Sequence, residues 1–151
     1  MIQRAATKAD LPAIIALKAS MFAETGRAHL LADRFEELVL ADYERLYDAG
    51  EAAHFVAVEG DEIVAMAGGF IKADLPYRYF KNPRYGFVGD VYTRPLVRKM
   101  GLARDLSELV LSWCWSQGVN TVRLLASEAG RPIYAALGFV STDEMVLHRG
   151  G

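Results

Sequence analysis

Cysteine is almost absent from this chain, which has one such residue, Cys114, among 151. A single cysteine excludes an intramolecular disulfide, and without a cluster of histidines and cysteines we expect no metal site. Cys114 lies between two tryptophans in a leucine-rich segment, which indicates a packed or partly exposed small side chain rather than a nucleophile. No apolar run approaches the ~20 residues that span a bilayer, and the N-terminus lacks the pattern of a signal peptide. We therefore expect a cytoplasmic protein with no membrane partner.

An excess of charge of one sign is lacking too, because 17 basic and 19 acidic residues give a formal net charge of −2. Such a composition provides no broad basic surface, so we expect no nucleic-acid partner. Only five prolines and a hydrophobic fraction of 52% favour a compact fold over disorder. A length of 151 residues suits one hydrophobic core, and we expect residues 1–151 to form one domain.

The hydrophobic pattern predicts a mixed chain in the order β-α-α-β-β-β-α-β-α-β-β. Helical spacing of apolar residues predicts helices over about 10–25, 33–50, 102–117 and 131–137. Strands are predicted at 2–6, 53–58, 63–71, 86–93 and 121–126, with closing strands at 139–140 and 144–148. Gly68 and Gly69 inside the third strand suggest a bulge or a close approach of another group to the backbone.

One segment combines a strand, a basic turn and the start of a helix. Its sequence is Val91-Tyr92-Thr93-Arg94-Pro95-Leu96-Val97-Arg98-Lys99-Met100-Gly101-Leu102-Ala103. The first amides of a helix have no partner inside it and its dipole end is positive, so this turn can bind an anion. Gly101 would let a phosphate approach the backbone, and Arg98 and Lys99 add positive charge. A solvated helix start is the alternative.

Two blocks of this sequence resemble the GNAT N-acetyltransferase superfamily. The spacing Arg-x-x-Gly-x-Ala at residues 98–103 resembles the loop with which that family binds the pyrophosphate of acyl-CoA. The block at 127–139 ends in Tyr-x-x-x-Gly-Phe and resembles the family's second cofactor segment. The resemblance extends over residues 86–147, and before them it concerns only the order of elements.

This resemblance implies a fold, a cosubstrate and a set of binding residues. The fold would be α/β (α+β), with a central, mixed, mostly antiparallel sheet that splays between two strands and carries helices on both faces. Acetyl-CoA would be the cosubstrate, with its pantetheine arm in the splay. The implied binding residues are Val91, Tyr92, Thr93, Arg98, Lys99, Met100, Gly101, Leu102, Ala103, Arg104, Ser127, Gly130 and Tyr134. Ser127 stands near a point where many family members carry asparagine, which leaves the register of that contact open.

The implied reaction is transfer of an acetyl group to a primary amine by direct attack on the thioester. Tyr134 matches a tyrosine whose hydroxyl reaches the CoA sulfur in the family, and a phenol can protonate a departing thiolate. A core tyrosine is the alternative. Asp90 and Glu24 are candidates for the base or for an acceptor-side carboxylate. In an alternating strand Asp90 would share a face with Val88 and Tyr92, but it could also pair structurally, and Glu24 could be a solvated helix-end charge.

The acceptor is expected to be an amine of a small molecule or a peptide, bordered by residues 24–33 and 72–84. Tyr77, Tyr79 and Phe80 could pack on it, form a lid, contribute to a homodimer or belong to the core. His29 and His54 have no partner that the sequence reveals. A non-catalytic acyl-CoA sensor on the same fold is the alternative function, which the Tyr134 hydroxyl disfavours.

Overall fold

The computed structural model describes residues 1–76 and 82–150. The predictions for Tyr77, Tyr79 and Phe80 lie outside the described residues. The elements are β1 (Ile2–Ala5), α1 (Leu11–Glu24), α2 (Phe35–Asp48), β2 (Ala52–Glu59), β3 (Glu62–Ala73), β4 (Arg84–Thr93), α3 (Leu102–Ser116), β5 (Val122–Leu124) and α4 (Arg131–Ala136). Short 3₁₀ turns form at Lys8–Asp10, Ala28–Leu30 and Pro95–Val97.

The five strands form one sheet in the order β1-β2-β3-β4-β5. Strands β1 to β4 pair antiparallel, whereas β5 joins β4 in parallel. Pairing between β4 and β5 covers only Gly86–Val88 and Val122–Leu124. Within the described residues β4 therefore continues from Gly89 to Thr93 without a strand partner on that side. The mixed, mostly antiparallel and splayed sheet that the resemblance implied is confirmed.

Helices cover both faces of this sheet. On one face α3 packs against β2, β3 and β4 through Leu106, Val110 and Cys114. On the other face α1 and α2 form a second core with Leu11, Ile14, Leu17, Phe35 and Tyr43. The predicted packing of Cys114 is confirmed, since the side chain is fully buried and burial raises the pKa of its thiol to about 11.

Gly68 and Gly69 lie where other groups approach the backbone of β3, which confirms the prediction for this pair. A Cβ atom on Gly69 would lie 2.9 Å from Val110 of α3, and one on Gly68 would lie 2.9 Å from the ring of His54. Between them the two glycines therefore admit a helix on one face of the sheet and an imidazole on the other.

A β-bulge interrupts the pairing of β3 with β4. Met66 is opposite Tyr92 and Gly68 is opposite Gly89. Two residues of β4, Asp90 and Val91, therefore lie opposite the single β3 residue between Met66 and Gly68. Asp90 has a left-handed φ of 52°, which is uncommon for a residue other than glycine. The bulge lies just beyond the point where β4 separates from β5.

The predicted face of Asp90 was wrong with respect to Val88. Val88 belongs to the core on the α3 side, whereas Asp90 contacts Lys18 and Tyr43 on the α1–α2 side, together with Tyr92. Simple alternation fails here because the bulge adds one residue to β4, and one added residue reverses the faces of those that follow.

The two closing strands predicted at 139–140 and 144–148 do not form, and β5 has three residues instead of six. Residues 139–150 have no helix or strand, and Val140, Met145 and Leu147 are exposed. An ion pair between Arg123 and Glu144 of 3.0 Å holds this segment beside β5. A side-chain contact is not a backbone ladder, and alternation alone does not produce a strand without one.

Candidate functional site

The basic turn after β4 presents a row of free amides at the start of α3. Lys99 and Gly101 have left-handed φ values of 66° and 80°. Within the described residues the N–H groups of residues 99–104 donate to no protein acceptor, and the first bond of the helix runs from Asp105 N–H to the Gly101 carbonyl, at 3.0 Å. Consecutive free amides beside left-handed residues at a helix N-terminus are typical of anion-binding sites. A Cβ atom on Gly101 would meet nothing within 4 Å, so the space above it is open.

The strand that leads into this turn has an open edge. Val91 packs against the α3-side core and Tyr92 is buried on the opposite side, so the edge between them is held from both faces. The Thr93 carbonyl accepts a hydrogen bond of 2.9 Å from Nε of Arg98. An extended ligand with amide groups could add to such an edge as a strand does.

Ser127, Gly130 and Tyr134 form one local unit around the start of α4. The Ser127 hydroxyl accepts a hydrogen bond of 3.1 Å from the Gly130 N–H, so this serine holds the turn before the helix. A Cβ atom on Gly130 would lie 2.8 Å from the Tyr134 ring. Gly130 therefore makes room for the ring, which is a role for this residue that the sequence did not predict.

Tyr134 offers a half-buried phenol with a free hydroxyl. Its ring contacts Phe139 edge-on, with the two ring centroids 6.0 Å apart, and Phe139 packs against the α3-side core. Burial raises the pKa of the phenol, so it stays protonated at neutral pH. Within the described residues its hydroxyl makes no hydrogen bond and is available as a donor to a ligand.

Arg98 and Glu24 pair across the gap between the turn and the end of α1. The Arg98 guanidinium lies 2.5 Å from Oε1 of Glu24 and 5.6 Å from the centre of the Tyr92 ring. The Tyr92 hydroxyl donates to Oε2 of the same carboxylate at 2.7 Å. The hydrogen bonds from Tyr92 and Arg98 lower the pKa of Glu24, which is therefore ionised and engaged on both oxygens.

Asp90 is the centre of a buried polar cluster, which we call the Asp90 cluster and which comprises Lys18, Tyr43, Tyr47, His54 and Asp90. Oδ1 of Asp90 lies 2.5 Å from the Lys18 ammonium. Oδ2 accepts from the Tyr43 hydroxyl at 2.5 Å and lies 2.9 Å from Nε2 of His54. Asp90 is only 8% exposed and His54 is fully buried. Burial alone would raise the pKa of Asp90, but His54 and Lys18 outweigh it and hold that pKa well below its usual range.

The polar side chains of the Asp90 cluster form hydrogen bonds with one another. Burial raises the pKa of Tyr47, so its phenol can donate to Nδ1 of His54 at 2.7 Å, while Nε2–H donates to Asp90. Lys18 also donates to the Tyr43 oxygen at 3.0 Å. The charges of Lys18 and Asp90 balance. A carboxylate with three donors and a lowered pKa is a weak proton acceptor.

The structure separates the predicted residues into two groups on either side of the β4 edge. Val91, Tyr134 with its partner Phe139, and the start of α3 lie on the α3 side, whereas Asp90, Tyr92 and Glu24 lie on the α1–α2 side. The two groups meet at the bulge, where Val91 lies on the α3 side and Asp90 lies on the α1–α2 side.

Sequence reasoning missed Lys18, Tyr43, Tyr47 and the role of His54. Lys18 is separated from Asp90 by 72 positions and His54 by 36, so no local pattern connects them. One signal was available, because Lys18 is the sole charged residue between Asp10 and Glu24 in the amphipathic segment that became α1. An isolated charge on an apolar helix requires a partner when it is buried.

Two features are absent from the described residues. They contain no group of three or more histidine, cysteine, aspartate or glutamate side chains that could hold a metal ion. None of the helices in residues 1–76 and 82–150 is long and apolar enough to cross a membrane.

A family model, described as the acetyltransferase (GNAT) family, matches residues 20–139. No curated protein matches the chain. Its fold is similar to a predicted acetyltransferase from Clostridium acetobutylicum, solved with acetyl-CoA, at 21% identity, 98% coverage of this chain, 95% of that chain and a TM-score of 0.87. A GCN5-related N-acetyltransferase from Ralstonia eutropha JMP134 is 26% identical over 99% of each chain, with a TM-score of 0.85. The aminoglycoside N-acetyltransferase AAC(6')-Iy, solved with CoA, is 21% identical over 99% of this chain and 93% of that chain, with a TM-score of 0.76.

Proposed function

The chain belongs to the GNAT acetyltransferase family, and we propose that it transfers the acetyl group of acetyl-CoA to a primary amine of a small molecule or a protein by direct attack on the thioester. The observation that carries this proposal is the continuity of the open β4 edge with the free amides of residues 99–104. A strand edge suits the amides of a pantetheine arm, and the helix start suits a pyrophosphate.

The residues present fit acetyl-CoA as cosubstrate. The amides of Lys99 to Arg104 have no protein acceptor within the described residues, and the space above Gly101 is open. Val91 and Thr93 would offer edge groups to pantetheine. When bound, acetyl-CoA supplies the thioester and a thiolate leaving group. Holding two reactants in the correct orientation can contribute about 7–11 kcal/mol, which is why no enzyme nucleophile is needed.

Tyr134 is the proposed acid. Its phenol is protonated at neutral pH and, within the described residues, has no competing hydrogen bond. Gly130 and Phe139 fix the position of the ring, so the hydroxyl can be directed without a polar partner of its own. Ser127 supports this arrangement from the preceding turn, and its hydroxyl, which accepts from Gly130, can still donate to pantetheine.

For the acceptor side we propose different roles for the two predicted carboxylates. Asp90 has three donors and a lowered pKa, which supports a role in holding the bulge rather than in accepting a proton. Glu24 is partly exposed and stays the candidate carboxylate nearest an incoming amine. The proton of the ammonium would leave to Glu24 or to water.

We also propose that the acceptor is an amine of a small molecule or a peptide and that the protein is cytoplasmic. The proposed function is compatible with a homodimer. That an aminoglycoside N-acetyltransferase shares the fold supports a small-molecule amine. Acetyl-CoA is used inside cells, which supports the location. Light scattering of the purified protein would determine whether it dimerises.

Thiol release from acetyl-CoA, measured over a panel of primary amines and peptides, tests the proposed function. We expect acceptor-dependent release together with CoA binding in calorimetry. Binding without release for any acceptor would instead support the alternative, a non-catalytic acyl-CoA sensor. Absence of binding would contradict both functions.

A further inference from the structure

The bulge in β4 lies on the strand edge that the proposed function gives to the pantetheine arm. Pairing with β5 ends at Val88, and the bulge follows at Asp90 and Val91. Within the described residues the edge from Gly89 to Thr93 has no strand partner on the β5 side. A bulge bends a strand and re-aims its groups. The shape of the backbone at the bulge therefore decides how this edge is presented to a ligand.

The strand register requires a bulge but does not determine its shape. Val88 belongs to the α3-side core and Tyr92 to the α1–α2-side core, so the strand between them contains one residue more than simple alternation allows. Asp90 accommodates that residue with a left-handed φ of 52°. This conformation is unfavourable for an L-residue and persists only where the surrounding structure holds it.

The contacts that hold Asp90 come from three separate elements. Lys18 of α1 and Tyr43 of α2 each donate to one carboxylate oxygen at 2.5 Å, and Nε2 of His54 in β2 lies 2.9 Å from the carboxylate. The Asp90 side chain is only 3% exposed. A rotation of the Asp90 backbone would break these contacts and leave a buried carboxylate without donors, which is strongly unfavourable.

The His54 ring is itself fixed in place. The Tyr47 hydroxyl lies 2.7 Å from Nδ1, the Phe70 ring packs edge-on with a centroid distance of 5.6 Å, and Gly68 leaves room for the imidazole. A cluster that only filled the core could be replaced by apolar side chains of similar volume, often without loss of stability. What the polar cluster adds is a set of directional contacts to one carboxylate beside the open edge.

We propose that Lys18, Tyr43 and His54 are positioning residues for acetyl-CoA: through the Asp90 carboxylate they hold the left-handed backbone of the bulge in the shape to which the pantetheine arm binds. They act through Asp90 rather than by contact with the ligand. This inference rests on the proposed function, and it gives the three residues an effect on ligand affinity besides their effect on stability.

Glycine at the bulge tests this role, because glycine adopts a left-handed φ without the steric cost that alanine has. Asp90→Gly and Asp90→Ala are each combined with Lys18→Met, so that neither protein leaves the Lys18 ammonium without an anion. The two proteins lack the same hydrogen bonds and differ by one methyl group. In calorimetry the Asp90→Ala protein should bind acetyl-CoA about tenfold more weakly than the Asp90→Gly protein, because an L-residue disfavours this φ. The Asp90→Gly protein should remain within about threefold of wild type.

Arg34 provides a matched control for the substitution itself. It has a left-handed φ of 60° at the start of α2, and its exposed side chain pairs with Glu37 rather than with a residue of β4. Arg34→Gly and Arg34→Ala should therefore bind acetyl-CoA equally. A difference as large as that at Asp90 would mean that any strained left-handed residue weakens binding, and it would overturn the inference.

Tyr43→Phe decides the outcome if the Asp90→Ala protein does not fold, because it removes one hydroxyl and keeps the ring. It should weaken acetyl-CoA binding about threefold in the wild type and leave it unchanged in the Asp90→Gly, Lys18→Met background, where no carboxylate remains to be held. Equal losses in the two backgrounds would overturn the inference, as would equal affinities of the Asp90→Gly and Asp90→Ala proteins. Either result, with a wild type that binds acetyl-CoA and releases thiol, leaves the proposed function intact. A wild type that does not bind acetyl-CoA would overturn both.

Discussion

The imidazole of His54 occupies the space that a side chain on Gly68 would need. The two residues are opposite each other in β2 and β3, and a Cβ atom on Gly68 would lie 2.9 Å from Cδ2 and Nε2 of the ring. The same Nε2 atom lies 2.9 Å from Asp90 on β4, so three neighbouring strands contribute to one hydrogen-bonded contact. Because Gly68 on β3 has no side chain, the His54 ring on β2 has room to reach Asp90 on β4.

Gly68→Ala should displace His54 and lower the free energy of unfolding by about 1–3 kcal/mol, as overpacking in a core does. Urea denaturation measures the change. Gly89→Ala is the matched control on β4, because a Cβ atom there would lie 3.4 Å from Phe70, an ordinary contact. Equal stability losses in the two variants would show that His54 is not held by the glycine.

Asp90→Asn should lower the free energy of unfolding by about 3–5 kcal/mol at pH 7, because Lys18 and His54 lose their anionic partner. The pKa of Asp90 is lower in the folded than in the unfolded chain, where it is about 3.9. Its stabilisation is therefore complete above about pH 4 and is lost as the pH falls through the folded value. The difference between variant and wild type should shrink on acidification from pH 5 to pH 3.

Asp10→Asn is the control for this experiment. The Arg4 hydrogen bond lowers the pKa of Asp10 to about 2, so it titrates in the same range, but its partner Arg4 is exposed. We expect a smaller loss at pH 7 than for Asp90→Asn. An Asp90→Asn difference that is the same at pH 3 and pH 7 would contradict the account of the Asp90 cluster.

Gly101→Glu should abolish CoA binding in calorimetry, because it puts bulk and negative charge beside the free amides. Gly118→Glu is a matched control at the other end of α3. Both glycines have φ near 80° and nothing within 4 Å of an added Cβ, so both variants carry similar backbone strain. Similar CoA affinities in the two variants would rule out an anion site at residue 101.

Tyr134→Phe should retain CoA binding and lower kcat about 10²–10⁴-fold, since only the proposed acid is removed. The melting temperature should change little, because the hydroxyl makes no hydrogen bond within the described residues. Turnover within twofold of wild type, under conditions where chemistry limits the rate, would assign Tyr134 a structural role.

A double-mutant cycle with Gly130→Ala tests how the hydroxyl is positioned. The added methyl would lie 2.8 Å from the Tyr134 ring and should reduce kcat by displacing it. In the Tyr134→Phe background the same change should cost much less, because no hydroxyl remains to be misplaced. Additive effects would show that Gly130 acts independently of the hydroxyl.

Glu24→Gln should leave CoA affinity nearly unchanged and impair use of the acceptor. The Tyr92 hydrogen bond and Arg98 lower the pKa of Glu24, so it is ionised at neutral pH. If Glu24 is the base, the acidic limb of the pH profile of kcat/KM should disappear in the variant, whereas a binding carboxylate would mainly raise KM. An unchanged pH profile together with an unchanged KM would show that residues other than Glu24 bind and deprotonate the amine.

Local sequence was sufficient for the order of the first nine elements and for the site of the basic turn. Helical spacing, the glycine at residue 101 and the run of basic residues each act within a few positions of the chain. A free helix start is a property of the chain itself, since the first amides lack partners in any helix. The sequence therefore determined by itself where the free amides of this helix start lie.

Tertiary structure alone decided the surroundings of Asp90. The bulge at Asp90 reversed the expected alternation, and the partners of Asp90 come from α1, α2 and β2, which are distant in sequence. Closing strands likewise failed to form because alternation at 144–148 requires a backbone ladder that β5 does not provide. Charge pairing depends on distance in space, so the neutralisation of Asp90 by Lys18 could be found only once the sheet and its two helices had been assembled.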